Sequence, residues 1–237
     1  MKEFPILKDI RFYKHHEENQ YKFDSVGLGL DFTHTIGCRF ANYLNNRKFR
    51  IGPFDHIYIY LRESKTSDSF VVRQFPNEWC RSIDYSVNLS QLSKADPYEF
   101  VCRLISKVLV EFTDLFDTPS QEIENLTTLA IAEKDRLRIP QFECKVGDLS
   151  LHFYIVIREN YGDFAQLFVD VYDRRSGSQN TYFVVESYVY ELKSLVSKAT
   201  IENRTMLLHP RKSNRAQLDV QSFEYPATKK IGHSEVK

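Results

Sequence analysis

Glycine is scarce in this chain, with 8 among 237 residues, and that alone closes off several chemistries. Cradling a phosphate takes bare backbone that can approach the oxygens. Gly27-Leu28-Gly29 comes nearest to a dinucleotide fingerprint, but the position three beyond Gly29 is Phe32, and no GxxxxGK[ST] is present. Neither a GxSxG elbow nor an HExxH helix occurs. No apolar run reaches the roughly 18 residues of a membrane span. Neither sign of charge is in excess, with 32 basic against 32 acidic residues, so the basic footprint of nucleic-acid binding is missing and such a partner is disfavoured. Cys38, Cys80, Cys102 and Cys144 form no CxxC pair, which predicts isolated thiols in a reducing compartment rather than a disulfide frame or metal cluster. Met1-Lys2-Glu3-Phe4-Pro5 has no apolar core of a signal peptide, so the expected location is cytoplasmic.

What the chain does have is aromatic and strand-forming residues, with 18 Phe and 14 Tyr but 1 Trp. Two helices are expected end to end in the middle. Asp96-Pro97-Tyr98-Glu99 and Thr118-Pro119-Ser120-Gln121 each supply a capping side chain and a proline in the first turn. Phe100, Val101, Leu104, Ile105, Val108, Leu109, Phe112 and Leu115 form an apolar stripe on the first, and Ile123, Leu126, Leu129 and Ala130 a weaker one on the second. A third helix is expected over residues 35–46.

Strands are expected near residues 6–12, 26–32, 56–62, 70–73 and 83–89, then over 149–157, 165–172, 181–186, 205–209 and 217–223, several with strict alternation. Residues 188–198 fit both a helix and a strand end. The fold class is therefore α+β, mostly antiparallel sheets with a central pair of consecutive helices packed on one face. Residues 1–138 form a β-rich part with the helix pair, residues 139–225 an antiparallel meander that continues it or stands alone, and residues 226–237 a polar tail. The segment from His56 to Val72 echoes that from Leu167 to Val185, as two hairpins of similar length would.

Organised chemistry is thin. His15-His16-Glu17-Glu18 is the densest set of ligand-type residues, but adjacent side chains diverge and cannot wrap one ion, so neither a metal nor any other cofactor is expected. The one enzyme pattern is Asp173 followed by Glu191-Leu192-Lys193. Nucleases of the PD-(D/E)xK type put such groups on neighbouring strands, two carboxylates for Mg²⁺ and a lysine for the water. Four Glu-x-Lys triplets occur in the chain, so the pattern is weakly specific. A better-supported surface is tyrosine-rich. If the outer faces of the meander strands align, Tyr154, Arg158, Asp170, Tyr172 and Tyr182 form one wall, and Tyr and Arg bring large area and directional hydrogen bonds to protein interfaces. Trp79 is expected as a buried anchor between loop and sheet. The reading is a soluble, non-enzymatic protein-binding module with the texture of inhibitor and immunity-type proteins that occlude another protein. The alternative is a Mg-dependent nuclease built on Asp173, Glu191 and Lys193.

Overall fold

Asp96 caps the longest helix. Its carboxylate accepts the Tyr98 amide at 2.8 Å and its carbonyl the Phe100 amide at 3.0 Å, so Pro97 enters where its missing N–H costs nothing. The computed structural model describes residues 3–15, 20–66, 69–73, 79–92, 95–115, 120–158, 164–202, 205–210 and 221–224. Two compact units, Met1–Leu137 and Arg138–Lys237, make up the chain.

The first unit runs β1 (Asp9–Lys14), α1 (Gln20–Asp24), α2 (Leu30–Asn46), β2 (His56–Glu63), β3 (Ser69–Val72), β4 (Cys80–Val87), α3 (Leu89–Leu92), α4 (Pro97–Leu115) and α5 (Gln121–Glu133). Its sheet has the order β1-β2-β4-β3. β1 pairs with β2, and β2 with β4, in parallel, while β3 is antiparallel to β4. One face of this sheet is apolar: Ile10, Phe12, Ile57, Ile59, Leu61, Ile83 and Tyr85 are each 3% exposed or less. Helix α2 lies close on it, with Gly37 against the Ile10 carbonyl. From α4, Phe112 meets Phe54 edge-on at 5.0 Å and the Lys107 ammonium sits 6.0 Å from the Tyr85 ring.

The second unit is a four-stranded antiparallel meander in the order β5-β6-β7-β8, with β5 (Ile139–Val146), β6 (Leu149–Val156), β7 (Phe164–Asp173) and β8 (Gln179–Tyr188). Helix α6 (Val189–Leu195) follows, then an antiparallel sheet ordered β11-β10-β9 from β9 (Lys198–Glu202), β10 (Thr205–His209) and β11 (Gln221–Glu224). The chain is thus α+β, its sheets mostly antiparallel and its consecutive helices α4 and α5 central in the sequence.

Several details differ from expectation. Residues 26–32 form no strand: Gly27, at φ +77°, turns the chain and α2 already starts at Leu30. The helical spacing Phe32, Ile36, Phe40 outranks the short alternation before it. The segments containing β2 and β3 are not a hairpin, because β4 lies between them, so the echo with β7–β8 is one of composition. Trp79 is 48% exposed rather than buried. Residues 189–195 are helical, and β5 and β9 are strands that alternation did not single out. Thr118 and Pro119, His16 to Glu18, residues 217–220 and the tail 226–237 lie outside the described residues. All four cysteines are free thiols.

Candidate functional site

Register places the meander tyrosines. In β6 and β7, Leu151, Phe153, Ile155, Leu167, Val169 and Val171 fill the inner face at 1% exposure or less. Tyr154 pairs with Phe168 and His152 with Asp170 on the outer face, and Tyr172 lies beyond on the same side. Tyr182 does not join them. The β7–β8 register shifts by one residue between Leu167 and Phe168, which leaves Val184 as an extra residue. That shift re-phases only Val185 to Tyr188, on the far side of it from the turn. On the near side the turn pairs Tyr172 with Gln179, so Thr181 stands opposite Asp170, while Tyr182 stands opposite Val169 on the inner face, 5% exposed. Arg158 is exposed and lies past the end of β6.

What assembles around Asp170 is a small, fully engaged cluster. Arg138 pairs with its carboxylate at 2.8 Å and lies 4.6 Å above the Tyr154 ring. The Thr181 hydroxyl donates to it at 2.5 Å, and the Tyr154 hydroxyl at 3.5 Å. Tyr154 stacks on Phe168 at 5.6 Å, and Phe168 meets Phe183 at 5.7 Å. Phe183 and Tyr172 remain 44% and 41% exposed. Burial, reinforced by the Asp170 charge, pushes the Tyr154 phenol up to about 12. The fold therefore prefers the protonated phenol. This stabilisation is complete below the unfolded value near 10 and is lost as pH rises towards 12. In Tyr154→Phe, the drop in urea midpoint between pH 8 and pH 11 is expected to shrink relative to wild type; an unchanged drop would refute this account of Tyr154.

The nuclease residues are not brought together. Asp173 ends β7 and accepts the Arg175 amide at 2.8 Å across the hairpin turn; that bond first, then Ser176, holds its carboxyl below the usual range. Glu191 and Lys193 lie in α6, which follows Tyr188, and Tyr188 pairs with Phe164 at the other end of β7. At about 3.3 Å per residue the two ends are separated by roughly 30 Å. The Glu191 carboxylate accepts the Ser187 hydroxyl one turn back. One ion cannot bridge that separation, and the motif's strand geometry is replaced by a helix. Among the described residues no group of three or more His, Cys, Asp or Glu side chains is placed to hold a metal.

The richer surface is the other face of the first unit's sheet. Parallel strands usually have both faces covered, yet here the residues alternating with the apolar set are aromatic, charged or small. Register aligns Asp9, His56 and Cys80 in one row, Arg11, Tyr58 and Ser82 in the next, and Tyr13, Tyr60, Asp84 and Val71 in the third. Tyr13 stacks on Tyr60 at 5.2 Å and meets Tyr58 edge-on at 5.4 Å. His56 bridges Tyr58 at 6.2 Å and Trp79 at 5.0 Å. The Arg73 guanidinium lies 4.1 Å over Tyr60 and pairs with Asp84.

The charges on this face are locked too. Asp9 pairs with Arg11 at 2.5 Å, and Asp55 with Lys8 at 2.5 Å and with His56 at 2.6 Å. Burial would raise the Asp84 carboxyl, but Arg73 and then Arg62 outweigh it and hold it low. Burial pushes the Cys80 thiol up, away from the thiolate that a nucleophile needs. The sequence signal for this face was the outward series His56, Tyr58, Tyr60, Arg62 in β2. Alone it does not specify a surface, because the pairing of β2 to β1 and β4 that completes the face is non-local.

No family model, curated protein or solved structure matches this chain.

Proposed function

We propose that this chain is a protein-binding module that works by occupying a surface of another protein, without chemistry of its own. The observation that carries the reading is the row of Tyr13, Tyr58, Tyr60, His56 and Trp79 on the open face of the first sheet. Their arrangement separates protein from other ligands. A nucleobase or sugar ring needs a free aromatic face to lie on. Here the Tyr60 ring already carries both Tyr13 and the Arg73 guanidinium, and Tyr13, Tyr58, His56 and Trp79 are engaged with one another. Rigid aromatics already held by stacking and ion pairs lose little entropy on docking, the property of protein-interface anchors. The Tyr172 and Phe183 patch on the second unit supports the same reading with a smaller surface around the Arg138–Asp170 pair.

An inhibitory or immunity-type role is the finer form of this proposal, since a locked surface suits occlusion better than turnover. The test is capture from the native extract by tagged wild type and by a Tyr58→Ala/Trp79→Ala double variant, with circular dichroism confirming that both fold. A partner held by wild type and released at least tenfold by the variant is expected. Equal recovery by both would remove this face from the function. Mg²⁺-dependent DNA cleavage lost in Asp173→Ala would favour the nuclease instead.

A further inference from the structure

Sheet edges are where a chain must guard against pairing with other chains, and it does so with charge, proline or bulges. Three sheets give six edges among the described residues. β1 carries Asp9, Arg11 and Lys14; β5 carries Pro140 and a register shift; β8 carries Glu186 and the bulge; β9 carries Lys198 and Glu202; β11 carries Glu224. β3 alone, Ser69-Phe70-Val71-Val72, has none of these. It is also unusually apolar where it meets solvent, with Val71 65% and Val72 41% exposed.

The pairing with β4 tells which backbone groups are free. The Arg73 amide donates to the Ser82 carbonyl at 2.8 Å, so Arg73 and Ser82 are a hydrogen-bonded pair. Alternation along an antiparallel ladder then makes Val71 with Asp84, and Ser69 with Ser86, hydrogen-bonded pairs too. Phe70 and Val72, opposite Tyr85 and Ile83, fall in the intervening positions, so their N–H and C=O groups point away from β4 to the open edge.

That spacing is complementary to itself. We infer that β3 pairs antiparallel with β3 of a second copy of this chain about a two-fold axis at Val71, fusing two four-stranded sheets into one of eight strands. Phe70 of each copy faces Val72 of the other and exchanges both backbone hydrogen bonds with it. Val71 faces its own counterpart in the close, non-hydrogen-bonded position. Ser69 then faces Arg73 of the second copy, so no like charges are opposed. The interface is isologous and closed. A ribbon this short buries far less than the ~1,600 Å² of a standard interface, so the dimer is weak and reversible.

Sedimentation velocity of the full chain from about 10 µM to 1 mM brackets the affinity expected of so small an interface. The wild type is expected to move from monomer towards dimer across that range. Val72→Pro removes an outward amide while leaving the β4 ladder intact, and is expected to stay monomeric with an unchanged circular dichroism spectrum. Val71→Lys and Val71→Glu each place like charges on the axis and are expected to be monomeric alone. Mixed one to one, they are expected to dimerise at least as well as wild type, because Lys meets Glu. Three results overturn the proposal: a wild type monomeric throughout, in which case the edge is left for another protein's strand; association unchanged in Val72→Pro; or a Lys and Glu mixture that stays monomeric.

Discussion

Replacing Arg39 with alanine is expected to destabilise the first unit by about 3–5 kcal/mol. Arg39 lies on α2 at 1% exposure and is the largest of the fully buried side chains. Its guanidinium donates to the Tyr98 hydroxyl at 3.2 Å and lies 5.7 Å from the centre of that ring. Tyr98 and Cys102 are themselves 3% and 0% exposed, and burial first of all pushes both up to about 12. Neither supplies a negative charge at neutral pH; towards Tyr98 the arginine acts as a hydrogen-bond donor and lies against the ring's electron-rich face. Alanine removes the stem that fills the space between α2 and α4 and leaves the Tyr98 hydroxyl without this donor. Arg39→Met separates the two losses. It keeps most of the volume and should cost about 1–3 kcal/mol, the penalty of a stranded hydroxyl. Adding Tyr98→Phe to Arg39→Met should recover part of that cost, a non-additivity that contacting residues show. Urea unfolding at pH 7 measures these three variants, and Tyr98→Phe alone, against wild type. An Arg39→Ala loss below about 1 kcal/mol would contradict the role given to this side chain.

How far the fold was legible depends on whether a feature is local. The spacing Val101, Leu104, Ile105, Val108, Leu109, Phe112 specifies α4, and Asp96 with Pro97 specifies its start, because cap and stripe act within one or two turns. Alternation in β4, β6 and β7 was readable for the same reason. Pairing was not. Nothing within residues 9–14 or 56–63 states that these strands run parallel with Asp9 beside His56; that depends on the intervening α2 crossing one face. The alternation of residues 26–32 misled because a turn glycine and the first residues of a helix happened to repeat every second position.

The candidate sites follow the same rule. Tyr154, Asp170 and Tyr172 share a face because alternation within β6 and β7 is uninterrupted. Tyr182 was lost to the register of the β7–β8 turn, which pairs Tyr172 with Gln179 and so sets Tyr182 opposite Val169. The aromatic strip of the first unit draws on β1, β2 and the residue before β4, so it exists only once three distant segments are aligned. Asp173 and Glu191 are close in sequence and far apart in space because an entire antiparallel strand intervenes.

Gly37 sets two opposing effects against each other, and their magnitudes decide the sign. It lies within α2, where alanine on propensity alone would add about 1 kcal/mol of stability. A β-carbon there would stand 2.5 Å from the Ile10 carbonyl oxygen and 3.5 Å from the Phe12 ring. The oxygen belongs to the backbone of β1, which is hydrogen-bonded in parallel to β2 along its whole length, so it cannot swing aside as a side-chain end would. Either α2 lifts from the sheet or the strand shifts, and each opens the contacts of Ile10, Phe12, Ile36 and Phe40, all 3% exposed or less. Overpacking of this kind costs about 1–3 kcal/mol for a single added methyl group. Gly37→Ala is therefore expected to be net destabilising by up to about 2 kcal/mol once the propensity gain is subtracted. Gly37→Leu, with three further carbons aimed at the same strand, should lose 4 kcal/mol or about that, enough to unfold a marginal unit at 37 °C. Thermal unfolding followed by circular dichroism distinguishes the outcomes. A higher midpoint for Gly37→Ala than for wild type would mean that α2 and β1 are not in the close contact on which the core of this unit depends.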